Sequence, residues 1–288
     1  MTTFSQHQVL VSGLGFPESL RWADGALWYA DWSAGAVYRL DADLTPRVVA
    51  RRASFPLCFD LLATADGLRP LLVSTPDRAV LLSSGADEEP LPYASLAGLG
   101  DHPWNEIALT GDGSAYVNNI GFAYGGAVDP SRAGPVGFIV LARPDGSVER
   151  VADKLEFPNG MAVVDDGHTL LVAESWGSRL TAYGIAADGG LSDRRVWAET
   201  PGLHPDGIDA HDDRDGNVTV SLADVGTGCC VRVGEGGEIL DRVELPESAF
   251  DCVVGDLGSG PTLYVAVNDF GGDPAGGPAG KILAVPLR

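Results

Sequence analysis

Glu18, Asn105, Asn159 and Asp206 occupy one matching place in a repeated pattern. Glu18 stands 7 residues before a turn glycine (Gly25), Asn105 and Asn159 stand 8 before theirs (Gly113 and Gly167), and Asp206 stands 10 before Gly216. Two carboxylates and two amide carbonyls make an all-oxygen set. Hard divalent cations, calcium first and magnesium or manganese after it, prefer such ligands. The five histidines show no paired spacing of a zinc helix, so zinc ranks last among the candidates. Asn-Gly and Asp-Gly are also ordinary turn formers, and each pair read singly is a turn. Four matching offsets, with a proline preceding three of them (Pro17, Pro158, Pro205), favour a shared site.

The elements that must position these residues are short strands. Six times an apolar run meets a Gly-centred turn and a second run rich in Leu, Val and Tyr, around Gly25, Gly67, Gly113, Gly167, Gly216 and Gly260. The intervals are 42, 46, 54, 49 and 44 residues, the period of four-stranded propeller blades. The expected fold is therefore all-β, a six-bladed β-propeller forming one domain over residues 1–288, with the four polar residues at its central channel. Antiparallel return through each turn brings the end of the second strand back beside the start of the first. Asp31, Trp32, Asn118, Asn119, Glu174, Trp176 and Asp224 are thereby predicted at the same mouth. His102 and His204 lie close enough in sequence to line it, and Trp104, Phe122, Tyr124 and Trp176 would suit an apolar or aromatic substrate.

The chain carries 19 basic and 40 acidic residues, a formal charge of −21, which gives no basic stripe for a phosphate backbone. Nucleic acid is therefore not an expected partner. No apolar stretch reaches membrane-spanning length, and Met1–Leu10 lacks the basic and apolar regions of a secretory signal. Cys58, Cys229, Cys230 and Cys252 show no metal-ligand spacing and read as reduced, mostly buried thiols, so the expected location is cytoplasmic. Closed blades leave few exposed edges, which suits a monomer or a dimer.

The segments around the four polar residues resemble the SMP-30/gluconolactonase, or regucalcin-like, family. The resemblance is carried by Gly15-Phe16-Pro17-Glu18 with Leu27-Trp28-Tyr29-Ala30-Asp31, by His102-Pro103-Trp104-Asn105-Glu106, by Phe157-Pro158-Asn159-Gly160-Met161-Ala162 and by His204-Pro205-Asp206-Gly207-Ile208. It implies a six-bladed propeller, in agreement with the repeat count. It also implies that Glu18, Asn159 and Asp206 bind a divalent metal, with Asn105 serving metal or substrate and Asp206 doubling as general base. The activity implied is hydrolysis of sugar lactones or similar cyclic esters. Two positions depart from the family pattern. Pro103 stands where many members carry an arginine that reads sugar hydroxyls, and Glu106 stands where an aspartate usually follows the asparagine.

The expected reaction is metal-assisted opening of a lactone, sugar-like or more apolar, with Asp206 assisting water and Asn105 orienting the ring. No Gly-x-Ser-x-Gly elbow occurs, which disfavours a covalent serine route. Other ester or organophosphate hydrolysis, or a lactone-forming or isomerising step, would use the same scaffold. A non-catalytic propeller that binds a partner is the reading from a different class.

Overall fold

Apolar runs of a few residues, too short for helices and separated by turn glycines, pair into antiparallel hairpins. A computed structural model describes residues 2–4, 7–123, 134, 136–212, 216–269 and 278–287. All six turn glycines named above have positive φ, from +66° at Gly25 to +107° at Gly67. At the first turn Asp24 (φ +50°) joins Gly25, so both central positions are left-handed, as a two-residue hairpin turn requires. Blade one then runs Pro17–Ala23, Ala26–Asp31, Ala36–Leu40 and Pro46–Arg51 as four neighbouring strands.

The innermost strands of blades two to six are Leu57–Thr64, Trp104–Leu109, Pro158–Val164, Pro205–Asp212 and Ser248–Gly255. Each packs against the inner strand of the blades before and after it, and blade six packs back on blade one, so the ring is closed. Closure also joins the chain ends. Gln8–Leu14 pairs antiparallel with Gly280–Pro286 and becomes the outer strand of blade six. Thr2–Phe4 adds a parallel strand to the outer edge of blade five, beside Ile239–Glu244. No α-helix occurs among the described residues, and no helix is long and apolar enough to cross a membrane. The core lies between the blades, where Leu27, Tyr29, Leu71, Tyr116, Leu170 and Tyr264 are almost wholly buried. Of the Gly/Pro-rich run from Gly271 to Gly280, residues 271–277 lie outside the described residues.

The hairpin register sets the mouth of the channel. Pro17 pairs with Asp31, Trp104 with Asn119, Pro158 with Glu174 and Pro205 with Asp224, as the return of each hairpin predicts. Just beyond these pairs the ladder slips in five inner strands, between Glu18 and Arg21, Trp104 and Glu106, Pro158 and Met161, Pro205 and Ile208, and Ala249 and Asp251. A bulge re-aims side chains, and here it occurs where the polar residues stand. Asn159-Gly160 and Asp206-Gly207 therefore lie inside bulged strands, and the turn reading of those pairs does not hold. Their glycines are there for close approach. A Cβ on Gly160 would stand 2.6 Å from both Asp206 O and Ile208 N.

Candidate active site

Blades one, three, four and five bring Glu18, Asn105, Asn159 and Asp206 to the same end of their inner strands, all four buried. Asn105 Nδ2 donates to Asn159 Oδ1 at 3.0 Å, and the Asn159 side chain also bonds Asp206. Asn159 Nδ2 lies 3.3 Å from Ser175 Oγ, which in turn donates to Pro205 O at 2.7 Å. From behind, Asn118 Nδ2 donates to Asn159 O at 2.7 Å, while its own Oδ1 is buried without a partner. Glu18 Oε2 accepts the Ser19 N–H at 2.5 Å. By the same register the matching places in blades two and six hold Cys58 and Ala249. The Cys58 thiol donates to Asn105 O, and burial, then Glu106 and Glu18, push its pKa up, so it stays a thiol.

The channel below is acidic. Glu106 and Asp251 are buried with Glu18 and Asp206, and Asp60 and Asp209 follow. Burial, then the charges of Asp206, Asp251 and Glu106, hold the Glu18 carboxyl well above its usual range. The Asp206 carboxyl is raised by burial first, then by Asp251, Glu106 and Asp224, against the Asn159 hydrogen bond. Burial pushes Asp251 up to about 8, although Arg21 opposes it, and Asp209 up to about 6. Among the described residues one guanidinium answers this charge. Arg21 Nη2 donates to Glu106 Oε1 at 2.8 Å and to Ile107 O at 3.1 Å, with Asp60 at 3.6 Å and Asp251 at 3.7 Å.

Burying carboxylates without matching positive charge is costly. An all-oxygen donor set amid excess buried negative charge, beside an orphaned amide oxygen, fits a hard divalent cation held by Glu18, Asn105, Asn159 and Asp206. Among the described residues no group of three or more His, Cys, Asp or Glu is arranged to hold a metal.

The rim residues do a different job. Asp31 accepts the N–H groups of Gly15 (2.8 Å) and Phe16 (2.9 Å), and Asp224 accepts that of His204 (2.5 Å). Asn119 Nδ2 donates to His102 O at 2.7 Å, and its Oδ1 accepts Gly121 N–H at 3.0 Å. Glu174 accepts Glu156 N–H at 2.7 Å, Thr181 Oγ1 at 2.5 Å, and Arg179 and Arg194 side chains. Burial works against the Glu174 charge, yet the bonds from Arg179, Thr181 and Glu156 N–H hold its carboxyl below the usual range. These side chains pin the loops that lead into the inner strands.

Of the aromatic candidates, Trp104 is buried in a core cluster, edge-on to Phe138 at 5.6 Å. Phe122 stacks on Trp176 at 4.5 Å, both half-buried. Tyr124 lies outside the described residues. His102 and His204 are exposed at the rim. Reading the sequence alone passed over Asp251, Asp60 and Arg21 in the channel, and Ser175 behind Asn159. The available signal was a charged residue inside an innermost strand that should be core.

The sequence pattern of the SMP-30/gluconolactonase/LRE-like region matches residues 16–268. A stretch of 90 residues is 36% identical to diisopropyl-fluorophosphatase of Loligo vulgaris, covering 30% of this chain and 29% of that protein. A solved gluconolactonase of Xanthomonas campestris superposes with a TM-score of 0.72 at 24% identity, over 96% of this chain and 89% of its own. Regucalcin of Agrobacterium tumefaciens, described as a calcium-binding protein, gives a TM-score of 0.74 at 19% identity, over 100% of this chain and 97% of its own. These two structures share the fold. Because the matched pattern spans all four buried oxygen donors, the chain belongs to the SMP-30/gluconolactonase/LRE-like family.

Proposed function

We propose that this protein is a metal-dependent hydrolase that opens a cyclic carboxylic ester at Glu18, Asn105, Asn159 and Asp206. The observation that carries the reading is the meeting of these four oxygen donors, from four blades, in a buried site where, among the described residues, carboxyl groups outnumber guanidinium groups. A divalent cation held there would polarise the substrate carbonyl and stabilise negative charge on its oxygen. Asp206, its carboxyl raised by burial and by its acidic neighbours, takes a proton from the attacking water. The water oxygen bonds to the carbonyl carbon, the ring C–O bond breaks, and the departing alkoxide recovers the proton. Asn105, tied to Asn159, orients the ring.

A second reading is favoured by the 90-residue stretch that is 36% identical to diisopropyl-fluorophosphatase; in this reading the same carboxylate and cation would serve attack at phosphorus. The test is hydrolysis of a panel of γ- and δ-lactones and a dialkyl fluorophosphate, on chelated protein and after adding calcium, magnesium, manganese or zinc. Metal-restored lactone opening is the expected result, and Asp206→Asn should lower kcat/KM about a thousandfold with an unchanged circular dichroism spectrum. Fluorophosphate turnover alone would favour the second reading. Full activity in the variant would remove Asp206 from its role, and no metal binding by calorimetry would overturn the proposal. Metal bound without turnover of any substrate would point to a non-catalytic propeller.

A further inference from the structure

Asn105 and Asn159 face a choice that the two carboxylates do not. An amide has an oxygen end and an NH2 end of nearly equal shape, and only the oxygen can face a cation. The backbones of both residues are held. Asn118 Nδ2 donates to Asn159 O at 2.7 Å, and the Cys58 thiol donates to Asn105 O. Each amide can still turn about its last bond. Three hydrogen bonds in series decide which way. Asn105 Nδ2 donates to Asn159 Oδ1 at 3.0 Å, Asn159 Nδ2 to Ser175 Oγ at 3.3 Å, and Ser175 Oγ to Pro205 O at 2.7 Å. All three side chains are buried.

This series has a direction, because its last member can only accept. Pro205 O obliges the Ser175 hydroxyl to donate its one hydrogen there, so toward Asn159 the hydroxyl offers lone pairs. Asn159 answers with its NH2, which turns Oδ1 to Asn105. Asn105 answers with its own NH2, so oxygen is the other end of its amide. One backbone carbonyl thus orients two amides in blades three and four, and it belongs to the residue just before Asp206. Ser175 is itself fixed, its N–H donating to Phe157 O at 3.0 Å. The Asp206 carboxyl also meets the Asn159 side chain, but bonding a cation draws on the same lone pairs. Pro205 O has no part in the donor set. Without the hydroxyl the two amides could flip together and keep a bond between them, now running from Asn159 Nδ2 to Asn105 Oδ1. Such a flip exchanges the oxygen and NH2 ends at both residues.

We infer that Ser175 is a positioning residue that relays the direction of the Pro205 carbonyl through Asn159 to Asn105 and so turns both amide oxygens to the cation. This rests on the metal site of the proposed hydrolase. The test is calcium affinity by calorimetry on chelated protein, with the metal-free thermal midpoint recorded for each variant. Ser175→Thr keeps a hydroxyl, and Ser175→Val has the same shape without one, so any strain from the added methyl is common to both. Ser175→Val is expected to bind calcium about tenfold or more weakly than Ser175→Thr, the usual range for a residue that orients a ligand. Orientation is isolated by Asn159→Asp, whose carboxylate has two like oxygens and nothing to flip. In that background Ser175→Thr and Ser175→Val should agree in affinity within about twofold, since an acceptor-only side chain fixes Asn105 by itself. Equal affinities of the two variants with Asn159 present would overturn the inference while leaving the metal site standing. The same loss in both backgrounds would also overturn it, since packing around Ser175 would then account for the effect. Absence of calcium binding by the unaltered protein would instead remove the metal site, and the role of Ser175 with it.

Discussion

Arg21 is the residue on which the buried charge of the channel balances. Its guanidinium binds Glu106 directly and lies within 3.7 Å of Asp251, both almost fully buried. Removing one partner of such a network leaves the other charge unpaired in a poorly solvated place. Arg21→Met is therefore expected to destabilise the chelated protein by about 3 kcal/mol, measured by urea unfolding. Adding Glu106→Gln should recover part of the loss, because it removes the charge that was stranded. A loss of only a few tenths, or no recovery in the double variant, would argue against that account. At this scale the sequence was partly legible. The four oxygen donors were readable from their offsets, whereas Arg21, Glu106 and Asp251 come from blades one, three and six and meet only across the ring. Trp104 illustrates the same limit, since its place in the core depends on Phe138 in a later strand.

Bulged inner strands are the element that aims the site. Gly160 and Gly207 follow Asn159 and Asp206 directly, and their missing side chains let neighbouring inner strands approach. The Cβ added by Gly160→Ala would stand 2.6 Å from Asp206 O and Ile208 N, and backbone cannot rotate away as a side chain can. The inner strands of blades four and five must then separate, carrying Asn159 and Asp206 with them. Turnover is expected to fall about a hundredfold, since a misplacement near 1 Å costs that much. Steady-state kinetics and the thermal midpoint should be measured together. Near-normal activity would mean that the strands absorb the methyl without moving Asn159 and Asp206. The turn glycines were legible because a two-residue turn is a local event. The bulges were not, since a register slip is defined by the strand opposite.

At the scale of the whole molecule, the ring is shut by a strand from the far end of the chain. Gln8–Leu14 supplies the outer edge of blade six, and Leu14 packs with Tyr264 and Ile282. Deleting residues 1–14 would strip that cover and leave Gly280–Pro286 as an open edge, a template for pairing between molecules. The truncated chain is expected to lose about 10 °C or more in thermal midpoint, given the apolar area exposed, and to self-associate on size-exclusion chromatography. An unchanged midpoint with the same elution volume would show that the closure contributes little. The repeat period, the turn chemistry and the oxygen-bearing residues were determined by the sequence alone, because each is a pattern within one hairpin or a count between hairpins. Tertiary structure alone decided which strand closes the ring, which aromatics pack into the core and which carboxylates share the channel. Those outcomes depend on contacts between residues as distant as Leu20 and Asp251, whose bond at 2.5 Å spans 231 positions of sequence.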